Sequence, residues 1–277
     1  MQPIWTFIKK SPVGWTISSA DFCGIKLPDV QYADSGSFFA LKKGKRDLLS
    51  NKIKIVDKGA KKMYQKTVDC ILEEKIVVIV RGVERKDLIP LAEAIYDGGI
   101  RLMELTYSAD KSIADEEIAD RIRELSQHFA GRMLFGAGTV LSTEQVELTK
   151  QAGGAFIISP DMCPAVIRKT KELGMVSMPG AVTPTEIRMA HDAGADFVKV
   201  FPATNLGPSY FKAVTAPLSH IRLTAVGGVN EENLKDYLAA GACGVGLGAN
   251  IVDKKKIADG DFQGITELAK RYVSLVK

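Results

Sequence analysis

The sequence has few residues of the kinds that build disulfide frameworks or metal centres. It contains only four cysteines and three histidines among 277 residues. The cysteines form no Cys-x-x-Cys pair and the histidines stand far apart, which argues against a disulfide framework and against a zinc or other metal site. A reducing cytoplasm is the compartment that this cysteine usage favours.

Long apolar runs are also missing. No run approaches the roughly 18 residues that a membrane span needs, and Lys9 and Lys10 interrupt the first apolar positions, unlike a signal peptide. We therefore expect no membrane partner and no export signal. With 46% hydrophobic and 25% charged residues, the composition is that of a globular protein with a large core.

The net charge of +4 is unevenly distributed. Residues 1–62 contain 12 Lys+Arg and 5 Asp+Glu (+7), and the remainder contains 25 and 28 (−3). Short aromatic pieces without a sustained period predict a poorly ordered basic extension over 1–62, outside the fold. A basic arm that binds nucleic acid or a protein is the alternative, although we expect no nucleic-acid partner. A further hypothesis takes Met63 as the natural start.

From residue 63 to residue 277, strand-like and helix-like segments alternate after a lead-in helix predicted over 64–74. The predicted strands cover 76–81, 100–106, 133–138, 155–160, 175–179, 196–201, 221–226 and 243–247. The predicted helices between them include 86–97, 114–129, 143–151, 164–173, 184–192 and 231–240. Eight such units in about 210 residues predict an α/β fold, a (β/α)8 TIM barrel. An open doubly wound sheet is the alternative, but no Gly-x-Gly-x-x-Gly opens a first helix.

A lysine lies in the middle of the apolar strand predicted over 196–201. Burial of a lysine needs a reason. A desolvated Lys199 amine loses its preference for the charged form and can attack a ketone to form a Schiff base. A salt-bridged or snorkelling lysine is the alternative.

A glutamate occupies the matching position of another predicted strand. Alternation along 100–106 directs Glu104 and Thr106 into the barrel, and alternation along 196–201 does the same for Phe197, Lys199 and Phe201. An amine and a carboxylate should therefore meet in one cavity, as a Schiff-base lysine with its acid/base partner or as a structural ion pair. Burial between the two phenylalanines should lower the pKa of the amine and raise that of the carboxyl, while their mutual attraction opposes both shifts.

Glycines gather at the ends of the last two predicted strands. Gly227 and Gly228 follow 221–226, and Gly248 follows 243–247. Barrels often bind a phosphate with backbone N–H groups at these ends, although glycines also serve tight turns.

Together these residues resemble the 2-keto-3-deoxy-6-phosphogluconate (KDPG) aldolase / 4-hydroxy-2-oxoglutarate (KHG) aldolase family over 63–277. The motifs that carry the resemblance, in chain order, are 77–81 followed by a helix, Leu102-Met103-Glu104-Leu105-Thr106, Gly136-Ala137-Gly138-Thr139-Val140, Ile158-Ser159-Pro160, Met178-Pro179-Gly180, Lys199-Val200-Phe201-Pro202-Ala203 and Val226-Gly227-Gly228. The resemblance implies a class I aldolase, a lyase free of metal and cofactor and usually a homotrimer. Such an enzyme cleaves a 2-keto-3-deoxy sugar acid, most often KDPG or 4-hydroxy-2-oxoglutarate, to pyruvate and an aldehyde.

The resemblance also implies roles for single residues. Lys199 would be the Schiff-base lysine and Glu104 the general acid/base. The implied substrate-binding residues are Arg81 for the anionic end, Thr139 and Pro160 for the pyruvate pocket, Gly227, Gly228 and Gly248 for a phosphate, and Thr106.

Three positions depart from the family pattern. Ser108 stands where an arginine is found, Val226 where a threonine precedes the paired glycines, and Ala249 where a serine follows the last glycine loop. Each change removes a hydrogen-bond donor near the substrate, worth about 1.5–3 kcal/mol if the group is charged, which leaves the substrate open. Two competing functions stay open as well: a phosphate-binding barrel isomerase or epimerase in which Lys199 acts electrostatically, and a non-catalytic barrel with a basic binding arm.

Overall fold

The computed structural model describes residues 9–11, 14–16, 59 and 61–277. Near the N-terminus, Lys9–Ser11 pairs with Gly14–Thr16 as two antiparallel strands. The chain divides into two units between Lys54 and Ile55. The predicted poorly ordered extension over 1–62 lies almost wholly outside the described residues, so the boundary at residue 63 stays a prediction.

Helix α1 covers residues 61–74 and contains the predicted lead-in helix. Its buried Val68 and Ile71 pack with apolar side chains inside the barrel. Its Tyr64 hydroxyl donates to Asp196 Oδ1, and Lys171 Nζ donates to the same carboxylate oxygen at 2.5 Å. Apolar packing and this polar contact together hold α1 across the N-terminal end of the barrel.

One parallel sheet of nine strand segments curves into a nearly closed barrel. The segments are β1 Ile76–Val80, β2 Leu102–Thr106, β3 Leu134–Gly138, β4 Phe156–Ile158, β5 Val176–Met178, β6 Gly180–Ala181, β7 Val198–Val200, β8 Leu223–Val226 and β9 Ala242–Leu247. The sheet order is β5-β4-β3-β2-β1-β9-β8-β7-β6, so its two edges, β5 and β6, are the halves of one run interrupted at Pro179. Each predicted strand overlaps an observed one, and the TIM barrel prediction is confirmed.

Nine helices of the described chain follow α1 and cover the outside of the sheet. They are α2 Arg85–Asp97, α3 Asp115–His128, α4 Thr143–Gln151, α5 Pro164–Glu172, α6 Pro184–Asp192, α7 Gly207–Thr215, α8 Leu234–Ala239, α9 Lys254–Ala258 and α10 Phe262–Val276. A capping box fixes the start of α6, where Thr183 and Glu186 exchange side-chain to backbone hydrogen bonds. Among the residues with assigned structure, no helix combines the length and apolar character needed to cross a membrane.

Strand alternation separates two apolar layers. The side chains inside the barrel, which we call the lumen cluster, are Val77, Leu102, Leu134, Phe156, Ile158, Val176, Met178 and Phe197, together with Val68 and Ile71 of α1. Met103 and Leu105 of β2 and Val198 and Val200 of β7 belong instead to the larger core between sheet and helices. The intervening residues of these strands, Glu104 and Lys199, therefore face the lumen.

Candidate active site

A buried carboxyl and a buried amine approach each other across the barrel. Glu104, the central residue of β2, is 1% exposed, and Lys199, the central residue of β7, is 7% exposed. Because β1, β9 and β8 separate these two strands in the sheet, the side chains enter the lumen from opposite walls.

The amine and the carboxyl do not form a contact ion pair. The Lys199 amine forms no hydrogen bond and no salt bridge within 4.0 Å to another described residue, and Glu104 Oε2 has no hydrogen-bond partner among them. Buried polar atoms are nearly always paired, and an unpaired one calls for an explanation such as catalysis. The structural ion pair, the alternative that the sequence left open, is thus not the geometry observed.

Burial controls the protonation of both groups. Desolvation raises the pKa of Glu104 from 4.5 to about 7, against the opposing charges of Lys199 and Arg81. Desolvation also lowers the pKa of Lys199, with Arg81 adding to the effect and Glu104 opposing it. A carboxyl that titrates near neutrality can donate and accept protons in one catalytic cycle, and a lowered amine pKa increases the neutral, nucleophilic fraction.

The expected enclosure of the lysine between two phenylalanines is only half correct. Phe197 is fully buried in the lumen cluster, but Phe201 is 39% exposed. Because β7 ends at Val200, Phe201 lies at the rim of the barrel, with its ring centroid 4.7 Å from Lys199 Nζ. The aromatic ring therefore flanks the amine on the solvent side without sealing it.

Arg81 and Thr139 meet at the mouth of the barrel. They follow β1 and β3, and Arg81 Nη2 donates to Thr139 Oγ1 at 3.0 Å. Thr139 has a φ of +54°, an uncommon conformation for a β-branched residue and one that concentrates at functional sites. Thr106, at the end of β2, is buried and donates its hydroxyl to the Val80 carbonyl at 3.3 Å. All three stand where a substrate entering the lumen would pass them.

Two glycines make room for neighbouring groups near the site. A Cβ on Gly138 would lie 2.4 Å from Glu104 Oε1, so this glycine leaves the space that the carboxyl occupies. A Cβ on Gly180 would lie 2.2 Å from the carbonyl oxygen of Pro160, which places this half-buried proline directly against β6. Pro160 thus borders the wall that carries Lys199, since Gly180 and Lys199 are in register.

The glycines predicted to bind a phosphate follow adjacent strands. Gly227 and Gly228 come directly after β8 with φ of +92° and +77°, and Gly248 comes directly after β9. No described atom lies closer than 3.9 Å to a Cβ built on Gly248, so packing does not require glycine there. The next strand in the sheet is β1, which leads to Arg81. Three neighbouring strand ends therefore offer backbone N–H groups and a cation to an anion.

The three departures from the family pattern lie in different surroundings. Ser108 donates to Asp110 Oδ1 at 2.6 Å and lies 2.7 Å from Ser112 Oγ, within a local turn. Val226 is buried and faces the lumen, whereas Ala249 is exposed. The mouth is therefore poorer in donors at these positions than the family pattern.

Sequence reasoning missed one buried polar group beside the lysine. Thr224 of β8 is 3% exposed and lies in register with Lys199 on the neighbouring strand. Its Oγ1 has no hydrogen-bond partner among the described residues. Threonine is common in strands, so only its position on the inward face, beside the lysine, could have drawn attention to it.

An internal cavity connects this group to the lysine. We call it the lumen cavity, and its lining is Ile71, Lys75, Val77, Ile79, Ile158, Met178, Lys199, Thr224, Val226 and Gly244–Gly246. Lys75 Nζ donates to the Val276 carbonyl at 3.1 Å and so is already engaged. In the part of the chain with described side chains, no group of three His, Cys, Asp or Glu residues could hold a metal ion.

Comparison with known proteins found a family and relatives that match most of the described chain. The family model described as KDPG and KHG aldolase matches residues 68–268. A probable 2-dehydro-3-deoxy-6-phosphogalactonate aldolase of Rhizobium meliloti is 38% identical over 69% of this chain and 88% of its own length. A 2-dehydro-3-deoxy-phosphogluconate aldolase of Treponema pallidum is 36% identical over 74% and 95%.

A solved structure shares the fold. The crystal structure of KDPG aldolase from Legionella pneumophila, with pyruvate captured at low pH as a covalent carbinolamine intermediate, superposes with a TM-score of 0.66. The two chains are 26% identical, over 73% of this chain and 96% of that one.

Proposed function

Because the chain belongs to the KDPG and KHG aldolase family, we propose that it is a class I aldolase that works through a Schiff base on Lys199. Family members are lyases that cleave 2-keto-3-deoxy sugar acids. The observation that carries the proposal is the desolvated amine facing an unpaired, desolvated carboxyl without an ion pair between them.

The reaction begins with attack on the ketone. The lone pair of neutral Lys199 Nζ adds to C2 of the substrate, and the carbonyl oxygen takes the proton of Glu104. Glu104 then removes a proton from the nitrogen and returns it to the carbinolamine hydroxyl, which leaves as water. The product is an iminium, with Glu104 as the carboxylate.

The iminium then serves as an electron sink. Glu104 takes the proton of the C4 hydroxyl while the C3–C4 bond breaks. The electron pair of that bond moves into the iminium, which gives an enamine and an aldehyde. Glu104 returns the proton to C3, and water hydrolyses the resulting iminium to pyruvate and free Lys199. A carboxyl pKa of about 7 suits a group that must change its protonation state several times in one cycle.

The substrate portion of the proposal rests on the mouth of the barrel. Arg81 would bind the anionic end of the substrate, and Thr139 and Pro160 would line the pyruvate pocket. Thr106 would be a further substrate-binding residue, and the glycines after β8 and β9 would hold a phosphate. We propose KDPG or 4-hydroxy-2-oxoglutarate as substrate, with glyceraldehyde 3-phosphate or glyoxylate as the aldehyde. Relatives named for the galacto and the gluco acid match almost equally well, so both C4 epimers belong in the assay.

Trapping of the intermediate tests the chemistry. Borohydride added with pyruvate should inactivate the enzyme and leave a stable pyruvyl adduct, which peptide mass spectrometry should locate on Lys199. An adduct on another lysine, or none, would contradict the mechanism. A panel of 2-keto-3-deoxy acids with and without phosphate, assayed for pyruvate release, then defines the substrate.

The same trapping separates the competing functions. A barrel isomerase or epimerase with an electrostatic Lys199 would turn over its substrate without pyruvate trapping. A non-catalytic barrel would show neither turnover nor pyruvate trapping. Salt-sensitive binding of nucleic acid by residues 1–62 would then indicate that the basic arm is the functional part.

We extend the proposal to assembly and location, which rest on the family resemblance and the cysteine pattern. We propose a homotrimer in the cytoplasm. Sedimentation equilibrium should return three times the monomer mass of 30.0 kDa, and cell fractionation should recover the protein with cytoplasmic markers.

A further inference from the structure

Thr224 is the side chain nearest in register to the proposed nucleophile. Lys199 pairs with Gly180 of β6 on one side and with Thr224 of β8 on the other. Gly180 has no side chain, so among the two strands that flank β7 only Thr224 offers a polar group at this level. Adjacent strands lie about 4.8 Å apart, which puts the two Cβ atoms next to each other.

The hydroxyl of Thr224 is buried at a cost. It is 3% exposed and unpaired among the described residues, and it faces the lumen cavity, as Lys199 does. The remaining lining is mostly apolar, so the hydroxyl has few protein partners within reach. An unsatisfied buried hydroxyl destabilises the folded state, and a valine of the same shape would avoid that cost.

We propose that Thr224 is a positioning residue for Lys199: the two side chains form no hydrogen bond in the structure, and a turn of the amine toward β8 would let the Thr224 hydroxyl oxygen accept from an N–H of Nζ and hold it for attack on the ketone. This inference rests on the proposed Schiff-base function. A hydroxyl has two acceptor lone pairs, so accepting from Nζ leaves the nitrogen lone pair free. Among the described residues, the ring of Phe201 also lies beside the amine, with its centroid 4.7 Å away, but it does not fix the direction of the nitrogen lone pair.

The charged form of the amine would gain most from this acceptor, since hydrogen bonds to charged groups are the stronger ones. The other charged groups around Lys199 are Glu104 on β2 and Arg81 after β1; Lys75 lines the cavity but donates to Val276. Loss of the hydroxyl should therefore lower the pKa of Lys199 further and also misdirect the amine. The lower pKa would increase the neutral fraction of the amine and raise the rate at acid pH, whereas misdirection of the amine would lower the rate at every pH. The acid limb of the pH profile reports the first effect and the plateau rate the second.

The test compares Thr224→Val, which removes the hydroxyl and keeps the shape, with Thr224→Ser, which keeps the hydroxyl. The rate of borohydride trapping with pyruvate is measured from pH 5 to 10 alongside thermal unfolding. For T224V we expect the plateau rate to fall roughly tenfold, the size of one hydrogen bond, and the acid limb to move to lower pH. For T224S both should stay close to wild type.

Stability supplies the control. The melting temperature of T224V should stay close to that of wild type, because the hydroxyl is unpaired in the structure and valine keeps the shape of the side chain. A T224V enzyme that is clearly less stable while its trapping plateau and acid limb equal those of wild type would mean that the hydroxyl serves a structural partner and not Lys199, which would overturn the proposal. Thr224→Ala, which adds no atom, repeats the comparison if the valine does not fit.

The outcomes distinguish this proposal from the one before it. Trapping of wild type on Lys199 together with a T224V plateau and acid limb equal to wild type overturns the role of Thr224 and leaves the aldolase mechanism standing. Failure of wild type itself to be trapped on Lys199 overturns both.

Discussion

Asp196 and Lys199 lie three residues apart at the start and in the middle of one strand region, yet their surroundings are opposite. Both carboxylate oxygens of Asp196 are satisfied, since Oδ1 accepts from Tyr64 and Lys171 and Oδ2 accepts from the Ser177 N–H at 2.9 Å. The side-chain amine of Lys199 has no hydrogen-bonding partner among the described residues. The carboxylate at the N-terminal end of the barrel is therefore fully hydrogen-bonded, as stabilising groups are, whereas the amine inside the lumen is not, and an unpaired buried polar group calls for another explanation.

The sharpest way to break this comparison exchanges a lysine for methionine at each end. Lys199→Met should reduce turnover by about 10³-fold or more, because the nucleophile is lost, while the free energy of unfolding stays equal or rises. Steady-state kinetics and denaturant unfolding measure the two effects. A Lys199→Met enzyme with appreciable turnover would refute covalent catalysis at this residue.

The matched variant at the other end is Lys171→Met. It removes a partner of Asp196 and should reduce the free energy of unfolding by about 1–3 kcal/mol, since both side chains are mostly buried at 28% and 10% exposure. Its kcat should stay near wild type at temperatures where it is folded. A large loss of kcat with unchanged stability would reverse the roles assigned to the two ends.

Glu104→Gln should reduce kcat by about 10²- to 10⁴-fold, the range for a lost general acid/base. Its stability should depend on pH with a defined sign. The folded-state pKa of Glu104 is raised from 4.5 to about 7, so wild type loses stability as pH rises through this interval, up to about 3 kcal/mol. Glutamine does not titrate, and unfolding in urea should show the variant gaining on wild type between pH 5 and pH 8. A difference independent of pH would contradict the raised pKa.

Gly138→Ala should have a smaller effect than the loss of Lys199 or Glu104. Its Cβ would lie 2.4 Å from Glu104 Oε1, so the carboxyl must move, and we expect kcat to fall roughly tenfold to hundredfold. Gly136→Ala, on the same strand, would instead press on the Phe156 ring, also at 2.4 Å, and should lose stability while keeping kcat in the folded fraction. Equal effects of the two variants on kcat would contradict the inference that Gly138 is glycine because the Glu104 carboxyl needs the space.

Much of the fold could be predicted from sequence because most strands are short, largely apolar segments and several are closely followed by glycine or proline. The continuation of the fifth strand beyond Pro179 was missed, since Gly180–Ala181 is too short to carry a pattern. Helix α7 was not predicted, because it begins with Gly207-Pro208, a pair that is typical of a loop. Helix α10 was not predicted either, although the sequence carries the signals for it. It has a regular apolar face at Ile265, Ala269, Tyr272 and Val276 and an Asp261 N-cap.

The candidate site also has features that the sequence could predict and features that it could not. Alternation sufficed to bring Glu104 and Lys199 together, because it depends only on strand parity. Which effect governs their pKa values could not be decided from sequence, since desolvation and attraction have opposite signs and only coordinates give their sizes. The exposure of Phe201 followed from where β7 ends, a boundary that sequence patterns place within a few residues at best. The catalytic and binding roles themselves stay predictions until the variants are measured.

Helix α1 has a kinetic consequence under the proposed mechanism. With Val68 and Ile71 plugging one end of the barrel, substrate and both products share the passage past Phe201. Under the proposed mechanism the aldehyde must depart while the three-carbon fragment is still bonded to Lys199, so release is ordered. Pyruvate should then inhibit competitively against the keto acid, and the aldehyde non-competitively.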